Sequence, residues 1–399
     1  MWQIPLSDLN YGPEEERAVT DVLRSRWLTM GPRTEEFEAR FAQYTGARHA
    51  VAVANCTCGL ELVYAWAMCR AVEGRGACPQ DPPAFLVPDI TFAATANAAL
   101  VSGARVDLMD IESATRPLLA METCERELRR RRGNVAAISL MHYAGSDAGA
   151  EKFRDVARRE GVMLIEDAAH AAGGFTREGR HLGTIGHAGV FSFFSNKNLA
   201  TGEGGMVVTD DDELASALRR ARSHGMTALT YERHTARRHG YDVMSAGHNY
   251  RCTEITAALG LAQLAKLDAG NARRRELLRL YRDTLASCQQ VALALSSDEE
   301  LTHSAGHIAP LLCESRKLRD AIRAACDADG IQTSHHYTPL HEFTSFARLR
   351  EACDEPPGQF SNAEKFARTE ITLPLWPGMT EAQVARVCAV VLEAVGREA

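Results

Sequence analysis

The chain reads as an α/β protein, with a larger N-terminal domain built on a mostly parallel sheet covered by helices and a smaller C-terminal α/β domain. Three observations predict this. Short apolar runs alternate with amphipathic stretches through the first 250 residues, the pattern of parallel strands joined by helical crossovers. The length of 399 residues exceeds what most single cores fill and suits two unequal domains, divided here as 1–250 and 251–399. Small polar, aromatic and acidic residues gather where the apolar runs end, which is where ligands bind on such sheets.

The elements justify this in order. Residues 13–27 form an amphipathic helix opened by Pro13 and acids, and 27–32 a turn. A helix over 33–44 ends at Gly46, and 49–54 is a short apolar strand. Asn55-Cys56-Thr57-Cys58-Gly59 then switches the chain into a helix over 60–70. Small polar residues at such a switch offer N–H groups and a hydroxyl to an anion. Taken alone, a plain N-cap by Asn55 or Thr57 is the better reading. Strands follow at 84–87, 105–109 and 135–141, the last ended by His142. Phe92 stands at the mouth of a helix over 93–102, where an aromatic either stacks on a ligand ring or fills the core. A helix over 149–160 leads into an apolar strand closed by Glu166-Asp167-Ala168-Ala169-His170.

A further apolar run, 189–194, precedes Lys197, and 204–209 and 212–224 give a strand and a helix. Residues 231–248 are polar and read as a long surface loop. Asn249-Tyr250-Arg251 precedes a periodic helix over 253–267, and another helix covers 272–287. From about 295 onward short strands and helices alternate. His335-His336-Tyr337-Thr338-Pro339-Leu340-His341 is a histidine-rich turn, but no acid or cysteine stands at metal-ligand spacing, so no metal site is expected. Asp354-Glu355-Pro356-Pro357-Gly358 reads as a local loop.

Lys197 is the centre of the functional reading. The chain holds only five lysines against forty arginines, and the other four lie in polar, helix-like stretches. Arginine replaces lysine where only charge is wanted, but not where an amine must lose its proton and attack a carbonyl. A lysine kept at the end of a buried-looking strand therefore suggests Schiff-base chemistry, against the plainer reading of a turn lysine pairing with Glu203. Asp167 at the neighbouring strand end changes the balance. An amine and a carboxylate so placed fit a pyridoxal phosphate site, whose ring nitrogen needs an acidic partner.

Composition excludes other classes. A net charge of −7 gives no reason to expect a nucleic acid or an anionic membrane as partner. No apolar run approaches a membrane span, and the start lacks a basic region followed by an apolar core. Eleven scattered cysteines without a CxxC pair read as reduced, so the expected location is cytoplasmic.

Motifs along nearly the whole chain resemble the DegT/DnrJ/EryC1/StrS family of pyridoxal phosphate-dependent sugar aminotransferases, within the aspartate aminotransferase fold type I. They include Trp27-Leu28-Thr29-Met30-Gly31-Pro32, Asn55-Cys56-Thr57, Val87-Pro88-Asp89-Ile90-Thr91-Phe92 and Glu166-Asp167-Ala168-Ala169-His170. Phe191-Ser192-Phe193 with Lys197-Asn198-Leu199, Thr201-Gly202-Glu203-Gly204-Gly205, Asn249-Tyr250-Arg251 with Thr253-Glu254, and His336-Tyr337 with Pro339-Leu340-His341 continue the series, which ends at Leu373-Pro374-Leu375. The resemblance implies that Lys197 carries the cofactor and that Asp167 faces its ring nitrogen. It implies Phe92 stacking on the ring and His170 near the phenolic oxygen. Thr57, the Cys56 backbone and Ser192 then hold the phosphate, with Asn249 reaching it from the other subunit of a homodimer with shared sites. Arg251, His336 and Tyr337 match substrate-proximal positions. The implied reaction moves an amino group, with L-glutamate as the expected donor, to a keto-sugar nucleotide, and His170 in place of Gln tilts toward amination at C4.

Three positions depart from the common pattern: Cys56, Phe194 and Asn196 stand where Gly, His or Tyr, and Thr or Ser are frequent. The last two flank the lysine and put the acceptor in question. A cyclitol ketone is the alternative acceptor, and related members build aromatic amino acids. Sugar 3-dehydratases of the same family carry His at the lysine position, which Lys197 argues against. A nicotinamide-dependent sugar oxidoreductase would need a G-x-G-x-x-G turn after an early strand, which the chain lacks. A non-catalytic regulator on this scaffold would be expected to have lost Lys197 or Asp167.

Overall fold

The computed structural model describes residues 2–73, 81–228, 230–235, 240–352 and 360–398. Its main sheet is built from β1 (His49–Val53), β2 (Ala84–Pro88), β3 (Arg105–Met109), β4 (Val135–Met141), β5 (Met163–Asp167), β6 (Ala188–Ser192) and β7 (Gly205–Thr209). The seven strands lie in the order β1-β7-β6-β5-β4-β2-β3. β3, β2, β4, β5 and β6 are parallel neighbours, and β7 runs antiparallel to both β6 and β1. β6 and β7 are therefore joined by a hairpin connection rather than a helical crossover. Bonds from Phe193 N–H to Gly204 O (2.9 Å) and from Thr201 N–H to Phe193 O (2.8 Å) tie that connection across itself.

Strand alternation sorts the side chains onto two buried faces. Val51, Val53, Val190 and Val207 point into one core, with Leu60, Val63, Tyr64 and Phe153 from the covering helices Cys56–Glu73 and Ala150–Glu160. Ala50, Ala52, Phe191, Met206 and Val208 point into the other, with Phe37, Phe41 and Ala257 from Pro32–Thr45 and Glu254–Leu264. The register agrees, since Val51 pairs with Val207 and Phe191 with Met206. Gly59 lets its helix lie close on the sheet: a Cβ there would sit 2.7 Å from Val190 Cγ1.

Glu254 explains why Gly31-Pro32 and Thr253-Glu254 occur together. Its buried carboxylate accepts the N–H groups of Gly31, Arg33 and Thr34 at 2.8–2.9 Å, capping Pro32–Thr45 from a residue far along the chain. The helix Leu267–Leu285 starts at Leu267 in the second core and ends in a third, where Leu277, Tyr281 and Leu285 pack under a smaller sheet. That sheet is antiparallel, in the order β10-β9-β8, from β8 (Val291–Leu293), β9 (Ala309–Cys313) and β10 (Glu370–Leu373). Ile322 of Arg316–Ala328 and Val384, Val387 and Val391 of Glu381–Glu398 complete its core.

Three stretches differ from the sequence reading. The helix expected over 272–287 begins at Leu267. The helix expected over 60–70 begins at Cys56, so the small polar residues form its first turn. Within 231–248 a short helix, Thr230–Thr235, precedes irregular chain from 240; Trp27 holds that helix, its ring 5.2 Å from Tyr231 and 5.3 Å from His234. The loop expected at 354–358 lies outside the described residues. Among the described residues no helix is long and apolar enough to cross a membrane.

Candidate active site

The C-terminal ends of the strands converge on one cavity of about 420 Å³. Cys56, Thr57, Phe92, Asp167, His170, Ser192, Lys197, His336 and Tyr337 all line it. Asn249 and Arg251, singled out from the sequence as well, do not line it. Their segment lies along the end of β1, where Tyr250 O accepts Ala54 N–H at 2.9 Å, and Asn249 is exposed. His142, a strand-end residue too, is fully buried. It donates through Nε2 to Glu166 at 2.8 Å, and its Nδ1 accepts Ala148 N–H at 3.4 Å. Burial alone would raise the Glu166 pKa, but the bonds from His142 and from Gly186 and Gly183 N–H hold it below the usual carboxylate value. Glu166 thus fixes the 183–186 turn behind β5 and leaves the cavity to Asp167.

Asp167 is buried at the end of β5. Thr95 Oγ1–H donates to its Oδ2 at 2.6 Å and Ala169 N–H to its Oδ1 at 3.1 Å. Burial raises its pKa in spite of these bonds and of Lys197, so the carboxylate gains from a cationic partner placed in the cavity. Lys197 lies beyond β6 in the hairpin connection, half-buried by surface. Burial of its amine brings its pKa down to about 8, against the opposing pull of Cys56 and Asp167. It does not pair with Glu203; its hydrogen bond is to His307 Nε2, at 3.5 Å.

The helix N-terminus faces this pair. Asn55 caps it, its Oδ1 accepting Cys58 N–H at 2.9 Å and its carbonyl Gly59 N–H at 3.2 Å. The N–H groups at Cys56 and Thr57 precede the first intrahelical acceptor and remain available beside the cavity. The cap and anion-site readings of this stretch are therefore compatible. Gly205 makes the approach possible, because a Cβ there would lie 2.6 Å from the Asn55 carbonyl carbon and 2.7 Å from Cys56 N.

Phe92 is 60% exposed at the cavity rim, 6.1 Å from the Tyr337 ring. The Phe92 face is open to the cavity and able to stack on a flat group. His170 accepts Ala144 N–H through Nδ1 at 3.3 Å, so its proton sits on Nε2 and is donated to Tyr337 Oη at 2.9 Å. Burial, with Lys197 and His336 nearby, holds the His170 pKa well below its ordinary value.

Long-range bonds set the His336–Tyr337 turn. Tyr143 Oη–H donates to His336 O at 2.6 Å, and buried Asp89 accepts His341 N–H at 2.9 Å and meets His341 Nδ1 at 2.6 Å. Burial, then Lys197 and His335, lower the His336 pKa to about 3. Phe194 and Asn196 line the cavity beside the lysine, and the Asn196 Oδ1 is buried without a partner.

Sequence reasoning passed over Thr95, Tyr143 and His307. Thr95 sits one turn past Phe92, a spacing that could have been read. Tyr143 and His307 are placed by tertiary contacts with no local signal.

These residues fit pyridoxal phosphate. A desolvated amine and a buried carboxylate share one cavity, a helix N-terminus opens onto it, and an uncovered aromatic stands at its rim.

Comparison with known proteins agrees. Residues 10–392 match the model of the DegT/DnrJ/EryC1/StrS aminotransferase family. Helicobacter pylori PseC, an aminotransferase of pseudoaminic acid biosynthesis, superposes with a TM-score of 0.86 at 26% identity, over 98% of each chain. S. venezuelae DesV is 32% identical over 95% of this chain and 94% of its own, with a TM-score of 0.81. The sugar aminotransferase CalS13 from Micromonospora echinospora gives 0.84 at 27% identity, over 98% of this chain and 100% of its own. With most of its length matched and its strand-end residues gathered as the chemistry requires, the chain belongs to the DegT/DnrJ/EryC1/StrS family of pyridoxal phosphate-dependent aminotransferases.

Proposed function

We propose that this enzyme moves an amino group from L-glutamate to the carbonyl of a keto-sugar nucleotide. The observation that carries the reading is the meeting of Lys197 and Asp167 in one cavity, with the amine's pKa brought down to about 8. Lys197 would hold the cofactor covalently, Asp167 would face its ring nitrogen, and Cys56 N–H, Thr57 and Ser192 would take its phosphate. Phe92 would cover one face of the ring and His170 would stand near its phenolic oxygen. When bound, the cofactor supplies an electron sink for breaking the substrate Cα–H bond.

The chain's own residues do the rest. An amine with a pKa near neutrality is a competent acceptor and donor of that proton at working pH. Asp167, desolvated and anchored by Thr95, would favour positive charge on the ring nitrogen of a bound cofactor. His336 and Tyr337, with Arg251, would contact the substrates, and Phe194 and Asn196 shape the space beside the lysine. The cytoplasm is the proposed setting.

The acceptor is identified by loading the protein with pyridoxamine phosphate and mixing it with a panel of keto-sugar nucleotides. Return of the yellow absorbance with one of them, and its absence with a cyclitol ketone, is expected. The reverse result would move the enzyme to the cyclitol class.

A further inference from the structure

We propose that His307 is a positioning residue for Lys197: its imidazole is locked with the proton on Nδ1, and Nε2 accepts a hydrogen bond from the lysine amine. This rests on the reading of Lys197 as the reacting amine.

The lock follows from a chain of bonds that begins and ends on backbone carbonyls. Asn271 Nδ2 donates to Ala172 O at 2.8 Å, which leaves Asn271 Oδ1 as an acceptor. Asn198 Nδ2 donates to that oxygen at 2.7 Å and to Ala305 O at 2.8 Å. A backbone carbonyl can only accept, so neither amide can be turned over. Asn198 Oδ1 is then the atom that faces His307 Nδ1, at 2.8 Å, and the hydrogen between them must come from the histidine. A neutral imidazole carries one N–H, so Nε2 keeps its lone pair, 3.5 Å from Lys197 Nζ.

The surroundings keep the ring neutral. His307 is buried, with the His170 ring centroid 4.2 Å away. Burial, then His170, Lys197 and Arg274, push its pKa well below the ordinary value. Its place is fixed from the backbone as well: Ala305 N–H donates to Gly145 O and His307 N–H to Ala144 O, each at 3.0 Å.

The consequence concerns the amine when it is free. A neutral amine has two N–H bonds and one lone pair. With one N–H held by His307, the lone pair is confined to a narrow range of directions instead of turning with the stem. Asn198 follows Lys197 in sequence, so the lock and the amine share one turn of chain.

Two measurements test this. The first is the 15N NMR spectrum of the His-labelled holoenzyme, with His307 assigned from the signal lost in His307→Gln or shifted in Asn198→Ala. A proton on Nδ1 and an unprotonated Nε2 are expected at neutral pH. A proton on Nε2, alone or with one on Nδ1, overturns the proposal. The second is kinetic. His307→Leu should slow both half-reactions roughly 10- to 100-fold with KM little changed, the scale for a misoriented reacting group. His307→Gln, whose amide oxygen can accept in place of Nε2, should recover most of that loss. Leu and Gln variants of equal rate, each still carrying cofactor on Lys197, overturn the proposal. If wild-type protein takes up no cofactor at Lys197, the proposed function itself fails, while the spectrum of the cofactor-free protein still decides the tautomer.

Discussion

Lys197 and Asp167 pull on each other through the same desolvated space, and each leaves a measurable trace. The lysine's pKa in the folded chain is about 8, against an ordinary 10.5. Between those values the unfolded chain binds the more protons, so the Lys197 contribution to stability rises with pH across that window. Below it, both states hold the proton and the full burial cost stands. Cofactor-free Lys197→Met should therefore melt above wild type near pH 7, with the gap narrowing toward pH 10. A gap that does not change across that range would show that burial does not shift the amine. Asp167→Asn keeps shape and removes charge. It should still admit cofactor but slow both half-reactions by ~100-fold or more, the scale seen when one preorganised electrostatic group is lost. Stopped-flow rates near wild type would dismiss its role. Both residues were legible because their chemistry is rare where they stand: a lysine in an arginine-rich chain and an acid closing an apolar strand. His307 was not. It stands in an ordinary Ala-Gly-His-Ile segment, brought to the lysine by tertiary bonds to residues 144, 145, 198 and 274.

At the scale of elements, the junction of β7 with the first turn of Cys56–Glu73 governs the anion site. A methyl at position 205 would collide with the Asn55–Cys56 peptide at 2.6–2.8 Å, and backbone cannot swing aside as a long side chain can. Gly205→Ala should weaken cofactor binding about tenfold or more and lower stability by ~1–3 kcal/mol, the cost of overpacking. Gly240→Ala, where a Cβ meets nothing within 4 Å, is the control. Equal cofactor affinity in the two variants, measured by fluorescence titration, would remove the close approach from the account. The strand–helix alternation was readable because buried parallel strands are apolar throughout and their crossovers are periodic. The short helix Thr230–Thr235 was not, because six residues do not hold a helix by propensity. It packs against Trp27, two hundred residues earlier.

At the scale of the whole molecule, Asn249 bears on assembly. Asn249 is exposed and does not line the cavity of its own chain. The proposal is a homodimer with isologous contacts, in which each cavity takes Lys197 from one subunit and Asn249 from the other. Lys197→Ala chains mixed with Asn249→Ala chains would then give dimers with one doubly damaged site and one intact site. Activity should return toward about one quarter of wild type for random pairing. No recovery above the two inactive parents, with mixed dimers shown to form, would make each site self-contained.

The hairpin between β6 and β7 also sets where movement can come from. A lysine carried by a helical crossover could shift whenever the helix slid on the sheet. Lys197 is instead carried by chain whose two ends are bonded to each other, which restrains the path of its Cα. In the proposed reaction the amine nevertheless serves two successive substrates of different size. Most of its stroke is then the swing of one four-carbon stem, and a difference in reach between the two substrates falls to how they are seated.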